Sequence, residues 1–189
     1  MAINDRIDSK ARSTKLLWLD MEMTGLDEQH DVIVEIAAIV TDMDFTPLAT
    51  YEATVYQDKV FMLERMTPSP FWQKNVVARD ALIAAAQNGR PSAVIETEFV
   101  EFIHQHFGSE SATLAGNSVH KDRAFIDRYW LSVSRLLHYR ILDVSAWKIV
   151  MWNKYDVSYT KQEAHRALDD IHESIAELQY YLEWFSRSK

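Results

Sequence analysis

The order in which strand and helix patterns follow one another is the feature that most limits how this chain can fold. Three segments with strand patterns come first, at residues 15–20, 32–41 and 47–57, and they predict three strands joined as a meander. The first is an apolar run that ends in an acid, the second is rich in valine and isoleucine, and the third alternates between β-forming and polar residues.

Helix patterns then alternate with two further short strands. Residues 69–107 have helical periodicity, and Ser92 is the predicted N-cap of the last helix in that stretch. Strand patterns follow at 113–115 and 140–143, each ahead of a helical pattern. The last segment has apolar residues at steps of four and three: Ile171, Ile175, Leu178, Leu182 and Phe185. Three strands followed by alternating helices and strands predict the α/β class, with a mixed five-stranded sheet flanked by helices.

Composition excludes several classes of protein. Apolar residues make up 48% of the 189 positions, with four glycines and four prolines, so the chain is neither disordered nor collagenous. No apolar run reaches the roughly 18–20 residues that span a bilayer, so no membrane contact is expected. We expect residues 1–14, which are polar and lack a signal-peptide pattern, to be a loose N-terminal segment ahead of a single domain over 15–189. The absence of cysteine excludes disulfides and thiol chemistry and predicts a cytoplasmic location.

The charge balance limits the kind of nucleic acid that the chain could bind. The net charge is −8, and lysine and arginine are scattered without a basic stripe. Proteins that follow long nucleic acids gain much of their affinity from neutralising many phosphates. A polyanionic ligand of this chain would therefore be short, or held by a few local donors and metal ions.

Two acids lie where the first predicted strand ends. Asp20 and Glu22 are two positions apart, so their side chains point to the same face, about 6.5–7 Å apart. Adjacent carboxylates repel one another and resist burial unless a cation neutralises them. Without a metal, the alternative interpretation of an isolated pair of this kind is the solvent-exposed end of a strand.

Three more acids and a histidine lie near predicted helix starts. Asp122 follows Gly116-Asn117-Ser118, and an acid there can simply compensate the helix dipole. Asp169 and Asp170 lie near the start of the last helix. His165 precedes Asp170 by five positions, about 140° apart on one continuous helix, so the two could act on one point only if His165 sits before the helix proper. A histidine at such a position can also be a surface or capping residue.

Taken together, these residues are suited to metal-assisted phosphodiester hydrolysis. Carboxylate oxygens with no cysteine favour Mg²⁺ or Mn²⁺ over zinc. Two such ions about 3.5–4 Å apart can hold the attacking and leaving oxygens of a phosphodiester. A histidine with a pKa near 6.5 can accept the proton of the attacking water.

Three motifs in sequence order resemble those of a known family. They are Leu19-Asp20-Met21-Glu22-Met23-Thr24-Gly25-Leu26-Asp27, Gly116-Asn117-Ser118 with Asp122, and His165-Arg166-Ala167-Leu168-Asp169-Asp170. They resemble the motifs of the oligoribonuclease family, in the DEDDh branch of the RNase H-like 3′-to-5′ exonucleases. His138-Tyr139-Arg140-Ile141-Leu142-Asp143-Val144-Ser145 resembles a segment specific to oligoribonucleases. The resemblance covers residues 15–185 and implies an RNase H-like fold.

The resemblance also implies residue roles. The metal-binding acids would be Asp20, Glu22, Asp122 and Asp170, which selects Asp170 over Asp169, and the general base would be His165. The substrate-binding residues would be Leu26 as a wedge against the bases, Trp72 beside the other base, and Ser118, Arg140 and Ser145 around the 5′-phosphate. Tyr139 would reach the site of the partner subunit in a homodimer that activity requires. Where the family often has a Met-Asp-Asp-Trp-like stretch and then a histidine, this chain has Ser69-Pro70-Phe71-Trp72, with Val77 at the histidine position.

The implied function is hydrolysis of very short single-stranded RNA, dinucleotides above all, to 5′-mononucleotides with two divalent cations, Mg²⁺ or Mn²⁺. Length selectivity would be steric, since a closed phosphate cap excludes long strands. Two alternatives stay open at this point. One is an exonuclease of the same fold that trims DNA, and the other is a nucleotide-binding or scaffold protein that keeps the fold without catalysis.

Overall fold

The computed structural model describes residues 14–160 and 166–187. Residues 1–13 of the predicted N-terminal segment lie outside these ranges, and so does His165. The elements, in chain order, are β1 (Lys15–Met23), β2 (Ile33–Asp42), β3 (Pro47–Thr54), α1 (Lys59–Met66), α2 (Pro70–Lys74), α3 (Val76–Ala86), α4 (Ser92–Phe107), β4 (Leu114–Gly116), α5 (His120–Tyr129), α6 (Leu131–Ser134), β5 (Leu142–Asp143), α7 (Val144–Tyr155) and α8 (Ala167–Arg187). Within the described ranges, no helix combines the length and the apolar character needed to cross a membrane.

The five strands form one mixed sheet in the order β3-β2-β1-β4-β5. β1, β2 and β3 pair antiparallel, as the predicted meander requires, while β4 and β5 extend the sheet in parallel. Parallel neighbours need crossover connections, and helices supply them. Helices α4, α5 and α6 cover one face, and α7 and α8 cover the other. This arrangement confirms the predicted α/β fold with a five-stranded sheet flanked by helices.

Strand β1 is buried on both faces, and each face meets different helices. Leu19 packs in the cluster that contains α4 and α5, whereas Trp18 packs in the cluster that contains α7 and α8. Because side chains alternate along a strand, Asp20 and Glu22 continue the face that carries Trp18. The two acids therefore lie where the end of β1 meets α8.

The helical stretch predicted for residues 69–107 is interrupted in the structure. It divides into α2, α3 and α4, and two further helices, α1 and α6, were not predicted. The prediction of Ser92 as an N-cap is wrong. Pro91 occupies the cap position with extended backbone, Ser92 is the first helical residue, and its hydroxyl accepts a hydrogen bond of 2.8 Å from the Trp130 indole.

A third apolar cluster supports the region beside the end of β1. It joins Val34 of β2 to α1, α2 and α3, and its members include Met62, Trp72 and Leu82. The short helix α2 is thereby fixed next to the loop that follows β1.

Candidate active site

Three carboxylates meet at the junction of β1 and α8. Asp20, Glu22 and Asp170 each offer one oxygen, and these oxygens all lie within 4.8 Å of one another. All three side chains are half-buried. Asp170 is the fourth residue of α8, and its neighbour Asp169 is exposed. The structure thus brings together three of the four acids expected to bind metal.

The electrostatics of this cluster are unfavourable without a cation. Burial, first of all, and the negative charges of Asp170 and Glu35 raise the pKa of Glu22 to about 8, against the opposing effect of Arg166. A proton therefore occupies Glu22 at neutral pH when no cation is bound. Three oxygen donors and an excess of negative charge are the donor set that hard divalent cations prefer, so these residues fit Mg²⁺ or Mn²⁺. The cluster indicates that the chain uses a divalent metal.

Asp122 lies close to this cluster but has a different set of contacts. It is buried in the first turn of α5, and its Oδ1 accepts a hydrogen bond of 2.9 Å from the Met21 amide, between the two acids of β1. Burial and the nearby charge of Glu22 raise the pKa of Asp122. The contact fixes the backbone of β1 at the residue between Asp20 and Glu22.

The start of α8 is fixed by an acid that sequence reasoning missed. The buried Glu35 of β2 accepts hydrogen bonds from Arg166 Nε at 3.2 Å and Arg166 Nη2 at 3.1 Å. It also accepts one of 3.2 Å from the Ala167 amide, so it caps the helix. Register pairs Glu35 with Glu22 of β1. The same residue therefore fixes the helix that carries Asp170 and the chain beside His165, which itself lies outside the described residues.

The loop after β1 is organised by a second missed acid, Asp31. Its Oδ1 accepts hydrogen bonds from Thr24 Oγ1 at 3.0 Å and from two nitrogens of Arg65 at 2.9 and 3.1 Å. Its Oδ2 accepts one of 3.0 Å from the Asp27 amide, and its backbone carbonyl accepts one of 2.7 Å from Tyr129. Within this fixed loop, Leu26 is 65% exposed.

Gly25 lies against Asp31 and has no room for a side chain. A β-carbon placed on Gly25 would stand 2.8 Å from the Asp31 Cγ, closer than such atoms approach. Glycine at this position allows Asp31 to reach the loop and to present Leu26 to solvent.

Trp72, which the resemblance places beside a base, is buried in this structure. Only 2% of its surface is exposed, and its indole nitrogen donates a hydrogen bond of 2.9 Å to the Thr24 carbonyl. It contributes to the wall of a cavity of about 390 Å³ that Glu22, Leu26 and Phe71 also line. Trp72 thus connects α2 to the loop over residues 24–32, which we call the Leu26 loop, and exposes little of its ring to a ligand.

Two hydroxyls expected around the 5′-phosphate are in contact. Ser118 and Ser145 place their oxygens 3.0 Å apart, and the Ser118 amide donates to Ser145 Oγ at 2.9 Å and to Asp143 Oδ1 at 3.0 Å. Ser118 has a positive φ of 53°, which turns its amide toward these acceptors. Ser145 Oγ also donates to Asn117 Oδ1 at 3.2 Å, so the polar groups form one connected set at the ends of β4 and β5.

A buried network connects this polar set to α8. Asn117 Nδ2 donates to Ser174 Oγ at 2.8 Å and to Glu177 Oε2 at 3.1 Å, and Tyr181 donates to Glu177 Oε1 at 2.8 Å. Burial, first of all, and the adjacent Glu177 raise the pKa of Tyr181 above its usual range. An acid within the apolar face of α8 is the sequence signal that could have revealed this network.

Tyr139 and Arg140 are exposed and contact one another. Tyr139 is 75% exposed, and the Arg140 guanidinium carbon lies 4.9 Å from the centre of its ring. Arg140 is exposed as well, two positions before the start of β5. Both side chains are available to contact a ligand or another copy of the chain.

The fold and the carboxylate cluster define the class to which the chain belongs. The exonuclease family model matches residues 17–178. The fold is similar to exonuclease I of Escherichia coli in complex with an oligonucleotide, at 14% identity and a TM-score of 0.56 over 92% of this chain and 43% of that one. Exonuclease I of Methylocaldum szegediense is similar at 18% identity and a TM-score of 0.54 over 87% and 39%. The chain thus spans about two fifths of the length of these structures. The family match and the fold together show that it is an exonuclease with an RNase H-like fold.

Two relatives identify the family within the exonucleases. The mitochondrial oligoribonuclease of Homo sapiens is 37% identical over 177 residues, which cover 91% of this chain and 73% of that protein. The oligoribonuclease of Chromobacterium violaceum is also 37% identical, over 92% of this chain and 96% of that protein. The chain belongs to the oligoribonuclease family, and the resemblance seen in its motifs is confirmed.

Proposed function

We propose that this protein is a 3′-to-5′ exoribonuclease that hydrolyses very short single-stranded RNA, above all dinucleotides, to 5′-mononucleotides. The observation that carries the proposal is the convergence of Asp20, Glu22 and Asp170 on one point in a member of the oligoribonuclease family. A non-catalytic scaffold has no need to hold three carboxylates together at the cost that the raised pKa of Glu22 reflects.

In this proposal the acids bind metal and the histidine transfers a proton. Asp20, Glu22, Asp122 and Asp170 would hold two divalent cations, Mg²⁺ or Mn²⁺. Bound cations would neutralise the carboxylates, lower the pKa of the attacking water and stabilise the leaving oxygen. His165 accepts the proton of that water, and Glu35 holds the start of α8 beside it through Arg166. The role of His165 rests on its place in the third motif.

Length selectivity follows from a small set of groups around the 5′-phosphate. Ser118 and Ser145 offer adjacent hydroxyls, and Arg140 supplies a guanidinium. A phosphate held there closes the far end of a dinucleotide and leaves no path for a longer strand. A net charge of −8 fits such a ligand, because few phosphates require neutralisation.

A homodimer and a cytoplasmic location complete the proposal. The exposed ring of Tyr139 supports a shared site, since it is free to reach a second subunit. Helix α7 follows it in the chain and exposes three large apolar residues, Ile149, Val150 and Trp152, which supports an interface on this side of the molecule.

A length series of 5′-phosphorylated RNAs, assayed with Mg²⁺ and with chelator, tests the function. The dinucleotide should be cleaved fastest, chelator should abolish cleavage, and Asp170→Asn should reduce kcat by at least about a hundredfold. Asp169→Asn is the matched control, since it removes an exposed carboxylate one position away. Faster cleavage of a long single-stranded DNA would favour the DNA-trimming alternative, and undiminished activity of Asp170→Asn would contradict the metal site.

A further inference from the structure

We infer that Phe71 is the aromatic residue that contacts a nucleobase of the substrate. The inference rests on the proposed function and assigns a specificity-determining role to a residue that the motif resemblance leaves without one. Phe71 is the second residue of α2, directly before Trp72, and 49% of its surface is exposed.

The cavity beside the carboxylates has the chemistry of a base pocket. Its volume is about 390 Å³, and its walls include Met21, Met23, Leu26, Phe71 and Trp72. Glu22 is the one charged side chain among the described residues that line it. Because a metal-binding acid forms part of the wall, a group in this cavity belongs to a nucleoside next to the scissile phosphate. The planar, largely apolar part of that nucleoside is its base.

Both adjacent aromatic residues line this cavity, and Phe71 is the more exposed of the two. Trp72 is 2% exposed, and its nitrogen is committed to the Thr24 carbonyl. The two rings meet edge to face, with centroids 4.8 Å apart and planes at 77°. Trp72 therefore packs against the ring of Phe71, and the exposed side chain of Leu26 lines the same cavity. A base would lie between an aliphatic side chain and an aromatic ring.

A thermodynamic cycle between the ring and the base tests this contact. KM and kcat are measured for a dinucleotide and for the two analogues in which one base is replaced by hydrogen. Phe71→Ala should raise KM for the intact dinucleotide about tenfold, as loss of one stacking contact does, with kcat little changed. For one of the two abasic analogues, the same substitution should have almost no effect, because the group that the ring contacts is already absent.

The controls separate contact from folding and from the proposed function. Phe71→Tyr should restore the low KM, whereas Phe71→Leu, which keeps apolar bulk without a ring, should not. Leu48→Ala removes an equally exposed apolar side chain at the opposite end of the sheet and should leave KM unchanged. Equal losses on intact and abasic substrates, or no loss on either, would overturn the role of Phe71. Failure of the wild-type protein to cleave the dinucleotide would instead overturn the proposed function.

Discussion

The guanidinium of Arg166 and the carboxylate of Glu35 are joined by two hydrogen bonds of 3.2 and 3.1 Å, although the residues are 131 positions apart in the chain. Glu35 is buried and pairs in register with Glu22, while Arg166 immediately precedes α8. The pair therefore joins the strand side of the carboxylate cluster to its helix side.

Glu35→Gln tests whether this pair positions Asp170. The amide keeps the shape of the side chain but removes the charge that holds Arg166, so Asp170 should lose its fixed position. We expect activity and metal affinity to fall about 10- to 100-fold, as with other residues that orient metal ligands. Metal titration by calorimetry and steady-state kinetics measure the two effects.

Glu183→Gln is the matched control for Glu35→Gln. Glu183 lies on α8 and pairs with Arg187 at 3.0 Å, but both side chains are exposed. Exposed pairs contribute little, so neither metal affinity nor activity should change. Equal behaviour of the two variants would remove the positioning role of Glu35.

The raised pKa of Glu22 predicts how the stability of the metal-free protein depends on pH. The folded chain holds its proton up to about pH 8, whereas the unfolded chain releases it near 4.5. Between these values the folded state holds the Glu22 proton and the unfolded state does not. Glu22 should therefore make the free energy of unfolding fall as pH rises, by on the order of 4 kcal/mol over the whole window. Urea unfolding in chelator at several pH values measures this slope.

Two comparisons assign that slope to Glu22. In Glu22→Gln the decline between pH 4.5 and 8 should be clearly shallower, since the titrating group is gone. Saturating Mg²⁺ should flatten the wild-type profile, because the cation takes the place of the proton. A wild-type stability in chelator that rises across this window, relative to the Glu22→Gln variant, would contradict the prediction.

Gly25→Ala should damage the Leu26 loop. The added methyl group would displace the Asp31 carboxylate from Thr24 and Arg65, at a cost of about 1–3 kcal/mol in stability. Cleavage of the dinucleotide should fall together with stability, because Leu26 loses its fixed position. Thermal unfolding and KM on the same samples report both effects.

Gly108→Ala distinguishes loss of stability from damage to the site. Gly108 has a φ of +61° with open space around it, so alanine there introduces backbone strain after α4 without touching the Leu26 loop. It should lower the melting temperature and leave KM unchanged. If Gly25→Ala affected only the melting temperature, the loop would have no part in substrate binding.

Complementation between subunits tests the shared site. Asp20→Ala and Tyr139→Ala should each be inactive alone, whereas mixed dimers would contain one site with both residues intact. An equimolar mixture after subunit exchange should recover about a quarter of wild-type activity. A mixture that stays inactive, although exchange has taken place, would show that Tyr139 does not act across subunits.

The parts of the fold and site that depend on local periodicity could be predicted from the sequence. Alternation along a strand places Asp20 and Glu22 on one face, and the apolar steps of α8 identify that helix. The choice between Asp169 and Asp170 depends on how α8 is rotated about its axis against β1, which only long-range packing fixes, so it needed the family resemblance. Ser92 shows the same limit, because its hydroxyl accepts a hydrogen bond from Trp130, 38 positions away, and Pro91 takes the cap position.

Buried acids account for most of what sequence reasoning missed. Glu35 interrupts the apolar run of β2, and Asp31 lies in a polar loop where nothing distinguishes it from Asp27. Their partners, Arg166 and Arg65, are 131 and 34 positions away. An acid within an otherwise buried strand requires a distant partner, but the sequence does not say which one.

The sequence separation between Glu35 and Arg166 has a consequence for folding during synthesis. A ribosome delivers β1 and β2 early and α8 late, so the two halves of the carboxylate cluster emerge at different times. A nascent chain can pair its first strands while α8 is still inside the exit tunnel, yet it holds Asp20 and Glu22 without Asp170. Such a chain would lack one of the three carboxylates that the cluster needs until α8 has docked.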